Sequence, residues 1–123
     1  MKLALTSVAL LLLVSCATVT VTNPKQAALV GQWLYADEVQ RCRYSFAANG
    51  TFSGEVRLHG REISRFTGRW NVEGDRLLYT YIGDTYGRIP PGARDQDRLL
   101  EVTTDSFFIE AANGERRRYR RVR

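Results

Sequence analysis

Few residues in this sequence can do covalent or acid–base chemistry. The single histidine, His59, lies beside Gly60 in a predicted turn, which argues against a histidine-based zinc site or a histidine-containing triad. Carboxylates are more numerous, and paired carboxylates act as general acid and base in many hydrolases. No two of them are held at a defined spacing, so a carboxylate-dependent enzyme stays a minor alternative. The candidates for such a pair are Asp84, Asp95, Asp97, Glu55 and Glu62.

Metal and cofactor sites are not indicated either. Asp95-Gln96-Asp97 resembles the start of a calcium loop, but the glycine and glutamate that such a loop needs later are missing. The glycines at 83 and 87 are not followed by the lysine of a phosphate-binding loop. We therefore predict that the protein is not an enzyme and that it has no metal or cofactor.

Cys16 is the best candidate for covalent modification, because it follows a short apolar stretch. Lys2 gives a positive start, and residues 3–14 are apolar except for two hydroxyl residues. A spanning helix needs about 20 residues, so this shorter run is typical of a secretory signal peptide. Leu13-Val14-Ser15-Cys16 resembles the lipobox of bacterial lipoproteins, in which the cysteine thiolate takes up a diacylglyceryl group.

This resemblance implies a domain order and a location. Residues 1–15 are expected to be a signal peptide, residues 16–28 a lipidated tether, and residues 29–123 the folded domain. The expected location is the bacterial cell envelope, with the domain facing the periplasm. Ala17 stands where an aspartate would favour the inner membrane, which indicates the outer membrane. The alternative is a secreted protein with a chance cysteine near its cleavage site.

The composition is that of one globular domain. The chain has 123 residues, of which 44% are hydrophobic and 25% charged. If Cys16 is a thioether, Cys42 has no partner for a disulfide within one chain. Cys42 alternates with Tyr44 and Phe46, so we interpret it as a small core side chain.

A first hairpin is predicted around Asn49-Gly50, which lies between two alternating apolar segments. A two-residue loop would mix the two faces of the strands. A three-residue loop over residues 48–50 pairs Phe46 with Phe52 and Cys42 with Val56. We expect this second register, with Gly50 in the left-handed conformation.

A second hairpin is predicted at the His59-Gly60 turn. It pairs Val56 with Ile63, and Arg57 with Glu62 as a cross-strand ion pair. The apolar positions change parity after Ile63, which indicates a bulge or break near Arg65.

The whole pattern predicts an all-β fold. About eight short strands follow one another with tight turns, and no convincing helix is visible after the leader. A flat sheet would leave two open edges and a bare apolar face, so we expect a small antiparallel up-and-down meander that closes into a barrel.

Four segments, in order, resemble small bacterial lipocalin-like lipoproteins: Gly31-Gln32-Trp33, Asn49-Gly50-Thr51-Phe52, Gly68-Arg69-Trp70 and Gly74-Asp75-Arg76-Leu77. The resemblance implies that Gly31 and Trp33 pack at the closed end of the barrel. It also implies that an arginine of the last strand stacks on Trp33. The register of that strand leaves five arginines open, namely Arg116, Arg117, Arg118, Arg120 and Arg121.

A barrel of this kind is expected to bind a small apolar molecule or a lipid. The candidate contacts are aromatic residues predicted to face the interior, together with one from the segment 83–97. That segment is either a lid, with Tyr86 and Ile89 touching the ligand, or a mobile surface loop. The predicted ligand contacts are Tyr44, Phe46, Phe52, Trp70, Tyr79, Tyr81 and Tyr86.

The chain ends in a strongly basic segment, in which six of the last eight residues are arginine. Behind a signal peptide, anionic lipid headgroups are more natural partners than nucleic acid. The alternative is an arginine-rich outer face paired with Glu110 and Glu115. A second function therefore stays open, that of an interaction protein with a filled barrel and a basic surface. The oligomeric state is not predicted.

Overall fold

The computed structural model describes residues 23–123. The predicted signal peptide and the lipidation at Cys16 fall outside these described residues. One short helix, α1 (Pro24–Leu29), precedes eight strands. The strands are β1 (Gly31–Ala36), β2 (Gln40–Phe46), β3 (Thr51–Leu58), β4 (Arg61–Glu73), β5 (Arg76–Asp84), β6 (Arg94–Val102), β7 (Ser106–Ala111) and β8 (Arg116–Arg121).

The strands form one closed antiparallel barrel in which each strand pairs with the next along the chain. β8 closes the ring by pairing with β1, with Trp33 opposite Arg121 and Leu34 opposite Arg120. The predicted all-β meander barrel is therefore confirmed. The eight strands of the barrel, the helix α1 and the apolar core all lie within residues 23–123, so this segment contains the complete closed barrel.

The helix α1 corrects the expectation that no helix follows the leader, and it begins within the predicted tether of residues 16–28. The Asn23 side chain caps the helix by accepting a hydrogen bond from the Lys25 N–H at 2.9 Å, and Pro24 occupies the first turn. The Val72 N–H donates to Gln26, and Leu29 is fully buried. The helix is too short to be stable alone, so its packing on the barrel stabilises it.

Trp33 and Arg121 pack together at the end of the barrel that α1 covers. We call this end the closed end. The Arg121 guanidinium lies 4.2 Å from the centre of the Trp33 ring, so Arg121 is the stacking arginine. It also donates hydrogen bonds to the carbonyl oxygens of Thr104, Val30 and Ala28. Gly31, whose φ is +137°, has no Cβ because a side chain there would collide with that guanidinium.

The first hairpin has the predicted register. Phe46 pairs with Phe52 and Cys42 with Val56, and the loop covers residues 48–50. Gly50 has a φ of +87°, as the left-handed position requires.

The second hairpin differs from the prediction by one residue. Arg57 pairs with Glu62 as expected, but Val56 pairs with Ser64, so Ile63 is the extra residue of a bulge. This bulge explains why the buried positions of β4 are even-numbered beyond it. Glu62 makes its ion pair with Arg65, at 2.6 Å, rather than with Arg57.

The loop between β5 and β6 covers residues 85–93 and is shorter than the predicted segment 83–97, because both strands extend into it. Asp84 fixes its start by accepting hydrogen bonds from the backbone N–H groups of Tyr86, at 3.0 Å, and Ile89, at 3.2 Å. The Ser64 hydroxyl donates to the same carboxylate at 2.8 Å. Burial raises the pKa of Asp84, but these hydrogen bonds outweigh it and the net pKa is lowered.

Aromatic rings fill the interior of the barrel. Phe107 stacks on Tyr119 at 4.6 Å between ring centres, Phe46 contacts Trp70 at 4.7 Å, and Trp33 meets Phe107 edge-on at 4.8 Å. Other buried aromatic residues of this core are Phe52, Phe66, Tyr79 and Tyr81.

Candidate functional site

A recess of about 280 Å³ lies at the open end, opposite the end that α1 covers. Its walls come from β2, β5, β6, β8 and the β7–β8 turn, which the meander brings together at this end. The lining residues are Tyr44, Tyr79, Tyr81, Asp95, Asp97, Ala111, Ala112, Asn113, Arg117 and Tyr119.

Tyrosine rings form the apolar part of the recess. Tyr44 contacts Tyr119 at 5.4 Å, Tyr79 at 6.2 Å and Phe66 at 5.6 Å between ring centres, so the lining is continuous with the core. Burial raises the pKa of Tyr44, Tyr79 and Tyr119, so these hydroxyls stay protonated at neutral pH. A tyrosine in this position offers a ring face and a hydrogen-bond donor together.

Two of the tyrosine hydroxyls are available to a ligand. The Tyr79 hydroxyl donates to Asp97 at 3.0 Å. The hydroxyls of Tyr44 and Tyr81 have no hydrogen-bond partner among residues 23–123, and both residues line the recess. A polar group entering the recess would satisfy them.

Arg117 supplies a permanent positive charge on one wall. Its Nη2 donates to Glu115 at 2.9 Å, and its guanidinium lies 5.5 Å from the centre of the Tyr35 ring. Burial alone would lower the pKa of Arg117, but its hydrogen bond to Glu115 and the neighbouring Tyr119 hydroxyl raise it. The Nε atom is buried and has no acceptor among the described residues. A buried donor without an acceptor is costly, so this part of the recess wall carries an unmet polar requirement.

Asp97 carries a carboxyl whose charge changes near neutral pH. Its pKa is raised to about 6, mainly by burial and in smaller part by the nearby charge of Asp95, while the hydrogen bond from Tyr79 acts in the opposite direction. Asp95 and Asp97 share the recess because they are two residues apart on one strand. The recess therefore combines apolar ring faces, free hydroxyls, one fixed cation and one titrating acid.

The raised pKa of Asp97 predicts a stability that depends on pH. The folded state holds this proton more tightly than the unfolded chain, so the contribution of Asp97 to the free energy of unfolding should fall by about 2 kcal/mol as pH rises from about 4 to about 6. Asp97→Asn removes this ionisation while keeping an oxygen for the Tyr79 hydroxyl. The variant should be about 2 kcal/mol more stable than the parent at pH 7.5 and nearly equal to it at pH 4. Urea unfolding across this pH range is the measurement.

Asp84→Asn is the control for this prediction, with the opposite sign. Hydrogen bonds lower the Asp84 pKa, so the loss of its charge should destabilise the barrel at pH 7.5. If Asp97→Asn and the parent keep the same difference in stability at every pH, the assigned titration of Asp97 is wrong.

The structure separates the predicted ligand contacts into three groups. Tyr44, Tyr79 and Tyr81 line the recess. Phe46, Phe52 and Trp70 are at most 3% exposed and belong to the packed core. Tyr86 is 49% exposed, and its hydroxyl donates to Glu62 at 2.6 Å on the outside of the barrel.

Several residues of the recess were not predicted as ligand contacts, namely Asp97, Arg117 and Tyr119. The alternation of β8 assigns Arg117 and Tyr119 to one face, which was a usable signal. Their placement in one recess with Asp97 depends on the pairing of β7 with both β6 and β8, which sequence spacing does not show.

The other candidates for chemistry lie away from this recess or are enclosed. The Cys42 thiol is buried, which raises its pKa, and it accepts a hydrogen bond from the Gln40 side chain at 3.0 Å. Glu55 and Glu62 both pair with Arg65 on the outer surface. Within residues 23–123, no cluster of three or more His, Cys, Asp or Glu side chains is placed to hold a metal ion. No helix in that range has the length and apolar character to span a bilayer.

Comparison with known proteins identifies the type of fold. No family model and no curated protein matches this sequence. The structure is similar to the crystal structure of a lipocalin-like protein from Bacteroides uniformis ATCC 8492, with a TM-score of 0.56 and 21% sequence identity. The match covers 77% of this chain and 99% of that chain. This likeness shows the fold, a lipocalin-like barrel of eight antiparallel strands.

Proposed function

We propose that this protein is a lipid-anchored lipoprotein of the bacterial envelope that binds a small molecule in the recess at the open end of its barrel. The observation that carries the binding proposal is the lining of that recess, where tyrosine ring faces surround unpaired polar atoms. Such a combination of apolar walls and a few convergent polar groups is typical of ligand sites.

The filled interior limits the class of ligand. A long acyl chain has no channel to follow, because Phe46, Phe52 and Trp70 occupy the space below the recess. A volume of about 280 Å³ suits a molecule of one or two rings. The ligand we propose has a flat apolar part against Tyr44 and an oxygen that accepts from Arg117.

Blocking the recess should abolish binding. Ala112 is exposed on the rim, so Ala112→Trp places a large side chain over the opening without entering the core. Native mass spectrometry of protein purified from its source envelope should show a co-purified small molecule, with occupancy at least about tenfold lower in this variant, because the indole competes for the same space.

The matched control is Ala48→Trp, which adds the same side chain to an exposed turn at the closed end. Its occupancy should equal that of the parent. Equal occupancy in all three proteins, or none in the parent, would exclude the recess as the binding site.

The anchor has a separate test, the incorporation of labelled palmitate in a bacterial host. The parent should be labelled and should sediment with membranes, whereas Cys16→Ala should lose both properties because the modified sulfur is absent. Cys42→Ala is the matched control, since that thiol is buried in the barrel and should not affect labelling. Equal label in the parent and in Cys16→Ala would end the proposal of a lipid anchor.

A second candidate function is an envelope interaction protein without a ligand. The observation that favours it is the packed aromatic core, which leaves a shallow recess rather than a deep cavity. A parent protein that carries no small molecule, together with normal behaviour of Ala112→Trp, would support this second candidate. In either case we propose that the protein is not an enzyme.

A further inference from the structure

A groove rich in arginine runs along the outside of the barrel near the closed end. Its volume is about 740 Å³, and it is open to solvent along its length. Four arginines and one acid line it, together with two hydroxyl residues. The charged members are Arg118, Arg120, Arg121, Arg123 and Asp105.

Most of the positive charge in this groove is not neutralised by a carboxylate. Arg123 pairs with Asp105. Arg121 is bound by backbone carbonyl oxygens, which leave its formal charge in place. Arg118 reaches the Ser106 hydroxyl at 3.5 Å, and Arg120 lies in register between Leu34 and Ser106. The groove therefore presents three more positive charges than negative ones.

The start of the described chain lies at the same end of the barrel. Asn23 donates to the Val72 carbonyl oxygen at 3.4 Å, and at the other end of α1 the Ala28 carbonyl oxygen accepts from Arg121. The helix therefore crosses the closed end toward the groove. Cys16 is only seven residues before Asn23, a span of at most about 25 Å when fully extended.

We propose that the arginine groove docks the closed end of the barrel onto an anionic phospholipid surface. The open recess then faces away from the membrane, where a soluble ligand can enter. Three uncompensated charges at the end of the barrel where the described chain begins match the negative potential of such a surface. The proposed lipid anchor would hold the groove close to the headgroups, but the groove itself does not depend on that anchor.

The test uses residues 23–123 without any lipid, so that no lipid anchor can contribute to binding. Flotation is measured with vesicles of 30% phosphatidylglycerol in phosphatidylcholine and with vesicles of phosphatidylcholine alone. The domain should float with the anionic vesicles, should not float with the neutral ones, and should be released by high salt. Arg118→Gln/Arg120→Gln should weaken binding roughly 25-fold, because each charge near the surface contributes about fivefold.

The matched control is Arg61→Gln/Arg88→Gln, which removes two exposed charges at the open end. It should float nearly as well as the parent. An equal loss in both double variants would show attraction by net charge alone and would overturn the docking surface, as would equal flotation with neutral vesicles. The tested domain is unlipidated, so its flotation does not depend on the proposed anchor. Ala112→Trp should float like the parent, so flotation does not depend on the proposed recess either.

Discussion

Trp33→Ala is expected to lower the free energy of unfolding by about 3–5 kcal/mol, the usual cost of truncating a fully buried tryptophan. The Trp33 ring is fully buried and meets Phe107 edge-on at 4.8 Å. Its indole N–H donates to the Leu29 carbonyl oxygen at 2.8 Å, so the same side chain holds α1 on the barrel. The substitution also leaves Arg121 without the ring on which it stacks.

Urea unfolding followed by circular dichroism measures this loss. Tyr86→Ala is the control, because it removes an aromatic ring that is 49% exposed and should cost less than about 1 kcal/mol. A cost for Trp33→Ala below that of Tyr86→Ala would show that the closed end does not depend on the tryptophan.

Local sequence signals were sufficient for the architecture of the barrel. Alternating apolar residues indicated the strands, and the Asn49-Gly50 pair indicated a turn. The Asn49 side chain accepts a hydrogen bond from the Thr51 N–H in that turn, at 3.0 Å. The position of that turn, together with the need to place apolar residues on one face, predicted the pairing of Phe46 with Phe52. Closure followed from the need to cover sheet edges, and the pairing of β1 with β8 confirms it.

Features that depend on tertiary contacts were beyond these signals. The helix α1 covers six residues, and its stability comes from Leu29 and Gln26 packed on the barrel. The parity change in β4 was visible in the sequence, but its cause at Ile63 was not, because a bulge depends on the opposing strand. The sequence therefore indicated a shift in register within β4 but not that Ile63 is the extra residue.

The candidate site shows the same division. Alternation assigned Tyr44 and Phe46 to the interior, and both lie there. It carries no information on depth along the barrel, so Phe46 was predicted as a ligand contact although it lies in the packed core. Arg117 and Asp97 line one recess because β7 pairs with both β6 and β8, a tertiary arrangement that alternation within one strand does not show.

Two glycines beside one bulge give a sharp test of how tightly this interior is packed. Gly68 and Gly83 flank the register shift between β4 and β5, where Thr67 pairs with Gly83 and Gly68 with Tyr81. A Cβ on Gly68 would collide with the Thr80 carbonyl oxygen and would lie 2.6 Å from Cε1 of Phe52. A Cβ on Gly83 would meet nothing within 4 Å. The two glycines therefore lie at nearly the same point of the barrel but differ in the room available for a side chain.

Gly68→Ala should accordingly destabilise the barrel by about 3 kcal/mol, the upper part of the usual range for overpacking, because a backbone carbonyl cannot move aside as a side-chain end can. Gly83→Ala should leave the free energy of unfolding within about 0.5 kcal/mol of the parent, since alanine is no worse than glycine in a strand with open space. Urea unfolding of both variants beside the parent gives the comparison. Equal stability of the two variants would mean that Phe52 does not sit over Gly68, and that the aromatic core is looser than the ring contacts imply.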